Sequence, residues 1–523
     1  MRAPTGPGPL EATVLTEALR ARPGAFVILA LVIHAALWTV ARFIADPTPP
    51  SEVLIGLALG REAQFGYLEG PPLAFWLLDL AYVFGGSFLV ANLLPALCVA
   101  LAGWFVFAFA RKILADRHAA IATLLMVGVH PVAFAVGAFD AGIVQMPLIA
   151  ASVLVWWNTL HEGGRGARFG LAALVLLLAY SGVQGLLVVF TLGLLTLADP
   201  RARAALKGLL LITQDWRAAV AGRDALIAVI VVLLLAAPRF VWLVWNGFAG
   251  LVLGPESGIE PGALTGVEIV MLQALVGHMG LLVLIVVASS AFAPDLDSAP
   301  TFLRPPVERI ARRSVIVIAI VPPILALALG FASGVRQPIT AAAPLFLYSG
   351  VLVMMFAPDA LRVHRQRAVA IAALALLVLP PVLDVVSSLV APWVAVRGRS
   401  ANWPTEAAGR YFTDVYRNRT GRRFEYVIGD ARTASAVAFG SRDRPHVFID
   451  GDPKRSPWID QERLKKSGAI VVWTVTGLNP SPPQLLASRL PALSPEALLP
   501  LNWVRSGRLD PLRLGWALIP PQN

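Results

Sequence analysis

Residues 46–73 read DPTPPSEVLIGLALGREAQFGYLEGPPL. This stretch follows directly on the first long apolar segment, and the rest of the chain is read outward from it. It holds Asp46, Glu52, Glu62 and Glu69 against one cation, Arg61, and closes on Pro71-Pro72. Ionisable groups set against a bilayer persist where they are solvated, paired or used, so a charged, proline-bounded loop is where chemistry is expected. Two amphipathic helices at the membrane surface are predicted here, over 51–64 and 71–84. Proline suits the first turn of the second, and Gly85-Gly86 is predicted to end it.

Composition sets the class. The chain has 523 residues, of which 57% are hydrophobic and 14% charged, with a mean hydropathy of +0.71. A soluble domain cannot bury that much apolar surface, so the chain reads as a polytopic α-helical membrane protein. With roughly 20 apolar residues per span, about eleven spans are predicted. They lie at 24–45, 88–110, 118–138, 141–160, 169–182, 183–198, 224–245, 269–292, 314–332, 338–357 and 368–390. The net charge of +11 does not point to nucleic acid, because Lys and Arg gather in alternate loops. Arg111, Lys112 and Arg117 share one side with Arg165, Arg168, Arg201, Arg203, Arg304 and Arg309. The other side carries little beyond Arg61 and Arg336. The positive-inside rule then places the N-terminus in the cytoplasm and the 46–73 loop outside. An odd number of spans sends the C-terminal part to the same outer side. In a bacterium this is the periplasmic face of the inner (plasma) membrane.

The composition changes near residue 395. Residues 1–394 read as the transmembrane domain and 395–523 as a small periplasmic α/β domain. FEYVIGD (424–430), PHVFIDGD (445–452) and GAIVVWTV (468–475) are apolar with polar exits, as buried strands are. Helical stretches at 405–421, 431–440 and 459–468 alternate with them, which predicts a parallel sheet.

Each candidate site residue has two readings. Glu52 is a general base, or an interfacial charge on a surface helix. Asp140, in GAFDAGIVQMPL at the outward junction of two spans, is a supporting acid or a helix N-cap. Arg239 and Arg336 break the charge asymmetry on the outer side. Guanidinium groups hold phosphate through paired hydrogen bonds, or they snorkel to headgroups. His34, His130 and His278 are solitary in apolar runs, so a divalent metal finds no support in the sequence. The single Cys98 allows no intramolecular disulfide. No phosphate-loop or nucleophile-elbow motif stands in a suitable context. A transporter wants broken helices around a midplane polar site, whereas the acids here gather at the outer surface.

The order of long span, acidic outward loop, G-Y-x-x-x-P-P-L and surface helix resembles the GT-C class of membrane glycosyltransferases. Within it, the chain is similar to the protein O-mannosyltransferase and lipid A aminoarabinose transferase family. The loop resembles that of bacterial members reading D-V-V-E…W-G-R-E-W-Q-x-G-Y-x-K-H-P-P-L, at Gly60, Arg61, Glu62, Gln64, Gly66, Tyr67, Pro71, Pro72 and Leu73. APRFVWLVWNGF (237–248) is similar to a P-H-x-x-W-L…F element, and YVIGD, DRPHVFIDGD and SPWID…GAIVVW are similar to the family's tail. The resemblance implies a GT-C-like fold. It also implies transfer of a sugar from a polyprenyl-phosphate donor to an envelope lipid or glycan acceptor at the outer face. The family's loop base falls on Glu52, with Asp140 in support. Arg239 and Arg336 then hold the donor phosphate, and Arg61, Glu62 and Tyr67 shape the loop around substrate. Four positions depart from the pattern. The second motif acid becomes Ile55, the Lys-His before the prolines becomes Glu69-Gly70, the span-seven His becomes Arg239, and Tyr180-Ser181 stands for a lysine. They leave an alternative: a catalytically impaired relative serving as a lipid-binding or assembly partner.

Overall fold

The structure is a computed structural model that describes residues 14–133, 139–200, 216–248, 264–289, 301–333, 336–337, 339–363, 365–395 and 398–522. Among these, seven helices are long and apolar enough to cross a bilayer: Pro23–Ala45, Leu89–Ile113, Ala141–His161, Leu226–Trp245, Val267–Ala288, Arg309–Ser333 and Gln366–Val394. The chain is a polytopic helical membrane protein. The other four segments read as spans form shorter or broken helices. Arg165–Ser181 and Val183–Ala198 are separated by Gly182 at φ 135°, a backbone conformation that suits glycine. Segment 118–138 divides into Asp116–Leu124, a 3₁₀ turn and His130–Ala133, with 134–138 outside the described residues. Segment 338–357 pairs the 3₁₀ stretch Ile339–Phe346 with helix Ser349–Phe356.

Helix breaks inside a membrane leave backbone polar groups that only protein can satisfy. Here three breaks meet and satisfy one another. His130 N–H donates to Gly277 O at 2.7 Å. The His278 ring sits 2.8 Å from Gln273 O and 2.9 Å from Ser349 Oγ. This explains two of the solitary histidines as joints between broken helices.

Two short antiparallel ribbons connect the bundle. One pairs β1 (Leu264–Thr265) with β3 (Arg336–Gln337), the other β2 (Thr301–Leu303) with β4 (Ala360–Arg362). Beyond residue 400 lies a five-stranded sheet of β5 (Tyr426–Gly429), β6 (His446–Ile449), β7 (Ala469–Val475), β8 (Leu499–Leu501) and β9 (Leu512–Ile519), in the order β6-β5-β7-β9-β8. Helices Thr405–Thr420, Ala431–Gly440 and Gln461–Ser467 alternate with the first three strands. Strands β5, β6 and β7 are parallel as expected, but β9 runs antiparallel to β7 and β8. The sheet is therefore mixed. Strand β9 reads LRLGWALI, in which Leu514 and Trp516 alternate into the core. Its surroundings of Pro and Arg masked that period. Strand β8 carries Pro500, which an outermost strand tolerates because it lacks a neighbour on one side.

Arginines bind the two ends of the transmembrane region to the tail. Arg42 pairs with Asp46 and with Asp384 of the last long helix. Arg505 donates to the terminal carbonyls Ile44 O and Ala45 O of the first span, and to Ser388 Oγ. Cations suit the carbonyl end of a helix.

Candidate functional site at the outward loop

The loop forms the two expected helices, Ser51–Gly60 and Pro72–Phe88. Pro72 opens the second, and the break falls at Gly86 with φ 58°. Between them, residues 61–70 fold back on themselves around Tyr67. The Tyr67 hydroxyl accepts from Gln64 N at 2.8 Å and donates to Leu59 O at 2.9 Å. Its ring meets Phe75 and Trp458 edge to face. Burial pushes the phenol up to about 12, so it stays a neutral donor.

Most of the loop's charges face the sheet. Glu62 Oε1 lies 2.7 Å from His446 Nδ1, and Arg61 donates to Arg444 O at 2.7 Å. Glu69 is 3% exposed and accepts from Arg455 Nη2 at 2.9 Å, while Arg455 also pairs with Asp450. His446 opens β6 and Asp450 follows it, so residues 61–70 run along the edge strand of the sheet. Covering an exposed edge protects it from unwanted strand pairing. Burial raises the Glu69 carboxyl above its ordinary range, and the Arg455 guanidinium works against that.

Such a buried triad holds only while complete. Arg455→Met leaves Glu69 and Asp450 facing one another, and breaking a buried pair costs about 3–5 kcal/mol. The expected result is a clear fall in the unfolding midpoint of the tail, followed by tryptophan fluorescence. An unchanged midpoint would show that the triad does not hold loop and sheet together.

Of the four loop acids, Asp46 pairs with Arg42, Glu62 with His446 and Glu69 with Arg455. Glu52 alone has no basic side chain as a partner among the described residues. It is exposed on the first turn of its helix and accepts a hydrogen bond from Ser51 Oγ at 3.1 Å.

The loop's other side faces the membrane helices. Arg239 is fully buried, with its guanidinium 5.1 Å from the Trp242 ring centroid. Gly66 lies against the same ring, where an added Cβ would come within 2.2 Å of it. One turn before Arg239, Leu235 O accepts from the Tyr180 hydroxyl at 2.8 Å, and Tyr180 packs 5.3 Å from Trp76. Loop, Tyr180 and Arg239 thus share one neighbourhood. A guanidinium buried at membrane depth is costly and marks a functional position by default.

Asp140 caps helix Ala141–His161, accepting from Ile143 N at 2.9 Å. One turn on, buried Gln145 accepts from Gly185 N at 2.5 Å and donates to Gln184 at 3.2 Å. Pro71 reaches the same joint, 3.3 Å from where a Cβ on Gly182 would stand. Arg336 enters through its backbone, which pairs with Thr265; its side chain lies outside the described residues. Among the described residues, no group of three or more His, Cys, Asp or Glu is placed to hold a metal.

The sequence reading passed over His446, Arg455 and Trp458 as contacts of the loop, although DRPHVFIDGD and SPWID were among its motifs. It noted Tyr180 only as a departure. Nothing in a linear sequence pairs position 69 with position 455.

A family model described as dolichyl-phosphate-mannose-protein mannosyltransferase matches residues 69–242, a stretch running from the loop to Trp242. Among solved structures, ArnT from Cupriavidus metallidurans in the apo state is similar over 96% of this chain and 100% of its own, with a TM-score of 0.51 and 14% identity. The ArnT structure bound to undecaprenyl phosphate is similar over 94% of this chain and 98% of its own, with a TM-score of 0.53 and 14% identity. A search of curated proteins finds no match. The likeness to ArnT is one of fold, and with the family match it bears out the resemblance to the GT-C class read from the loop.

Proposed function

We propose that the chain is an integral membrane glycosyltransferase, taking a sugar from a polyprenyl-phosphate donor. The acceptor is an envelope lipid or glycan on the periplasmic face of a bacterial inner membrane. The observation that carries this reading is the pairing of the loop acids. Two are held by arginines and one by the His446 ring, and Glu52 makes no ion pair among the described residues, on a loop packed against the buried Arg239–Trp242 pair. Undecaprenyl phosphate bound to a protein of the same fold supports the donor class. In the proposed step, the acceptor O–H gives its proton to the Glu52 carboxylate, and its oxygen forms the bond to the anomeric carbon. The bond from that carbon to the phosphate oxygen breaks, and the electron pair leaves on the phosphate. Arg239 and Arg336 stabilise the departing charge, as fixed cations do best where charge develops. Asp140 supports the base. Arg61, Glu62 and Tyr67 keep the loop in the shape that presents it.

The reading also takes the four shorter helical segments as spans, for eleven in all. It places the 395–523 domain in the periplasm, on the side of the loop it holds. Mass spectrometry of envelope lipids and glycans, from cells with and without the gene, tests the function. A missing increment of hexose, pentose or uronate size is expected. An unchanged envelope, with no transfer from any polyprenyl-phosphate sugar in vitro, would favour the non-catalytic lipid-binding alternative.

A further inference from the structure

At the end of the bundle away from the loop lies an apolar cavity of about 720 Å³. Its position follows from two long helices. Phe26 lines it at the start of helix Pro23–Ala45, whose far end Ala45 meets Arg505; nineteen residues at 1.5 Å each set the two about 28 Å apart. Gln366 and Ala373 line it from the first turns of helix Gln366–Val394, whose Ser388 also meets Arg505.

Leu19, Leu124, Leu284 and Phe302 supply apolar wall, and the short helix Val14–Ala21 forms one side with Leu15, Thr16 and Leu19. Val14 on that helix is 85% exposed, as suits a helix lying in a membrane interface. The volume lies in the range of small-molecule sites, roughly 300–1,000 Å³. The wall offers a polar ligand little to bind.

The rim is cationic. Arg362 lines the cavity, is exposed, and has no acidic partner among the described residues. Arg365 and Arg367 follow it in the chain. Two acids adjoining lining residues in the chain are engaged: Glu17 lies 3.7 Å from Arg20, and Asp359 lies 3.2 Å from Arg304. Basic pockets between membrane helices on the cytoplasmic side suit anionic headgroups. We propose that the cavity holds an acyl chain of an anionic phospholipid from the leaflet opposite the loop, with the lipid phosphate at Arg362 and Thr16. This inference does not depend on glycosyl transfer.

The test uses the full chain, purified in mild detergent and stripped of lipid by prolonged washing. It is then offered phosphatidylglycerol or phosphatidylcholine in mixed micelles, and bound lipid is counted by native mass spectrometry. A single phosphatidylglycerol retained in preference to phosphatidylcholine is expected. Arg362→Gln should reduce that preference about fivefold, the weight of one cation near an anionic headgroup, and Arg362→Lys should restore it. Ala373→Trp, which fills the cavity, should abolish retention while the protein stays monodisperse. Equal retention of the two lipids by the wild type would overturn the proposal. So would retention unaffected by Ala373→Trp, or displacement of phosphatidylglycerol by polyprenyl phosphate.

Discussion

Glu52→Gln is expected to lower sugar transfer by about 10²–10⁴-fold, the range for removing a positioned general base. The amide keeps the size and the Ser51 hydrogen bond but cannot take a proton. Neighbouring acids offer no relief. Glu62 is held by His446 and Glu69 by Arg455, both on the far side of the loop's fold. Glu52 is exposed and makes no ion pair among the described residues, so the unfolding midpoint should stay within about 0.5 kcal/mol of wild type, as for ordinary surface substitutions. Single-turnover transfer by the purified, reconstituted protein measures the effect. A wild-type rate would remove Glu52 from the mechanism. A rise in KM alone, with kcat unchanged, would make it a binding group instead.

Arg239→Met is expected to cost about 10²–10³-fold in kcat, the range for losing one fixed donor to developing negative charge. Stability should not follow activity. The guanidinium is fully buried at membrane depth, and a well-packed apolar replacement for a buried charge is often neutral or stabilising. The variant should therefore unfold at the wild-type temperature or above while transfer collapses. Arg239→Lys should recover only part of the rate, because an ammonium lacks the two-pronged geometry that phosphate oxygens meet. It also changes the guanidinium contact over the Trp242 ring. If Arg239→Met lowered stability and left transfer intact, Arg239 would be a packing residue and the phosphate clamp would have to lie elsewhere.

The two predictions rest on different kinds of information. That residues 46–73 matter was legible in the sequence, since acids and prolines next to a long apolar run stand out in so hydrophobic a chain. The two loop helices, the strands β5 to β7 and the helices between them follow from apolar period, proline and glycine positions, which are local properties. Strand β9 was missed because its alternation is brief and set among prolines and arginines. The division at Gly182 was legible, as two short spans meeting at 182–183, whereas the break at His278 was missed because a hydropathy window averages over it; what stabilises that break is a partner from another segment, Ser349.

Membrane class, the charge asymmetry between loops and the α/β character of the tail were determined by the sequence alone, because each depends on composition and short-range period. Only the tertiary structure decided which acids are occupied. Asp46, Glu52, Glu62 and Glu69 are alike as residue types, and the difference comes from Arg42, His446 and Arg455, the last two hundreds of positions away. The charge state and availability of a carboxylate are set by what lies within a few ångströms of it, and folding, not sequence order, brings those groups together.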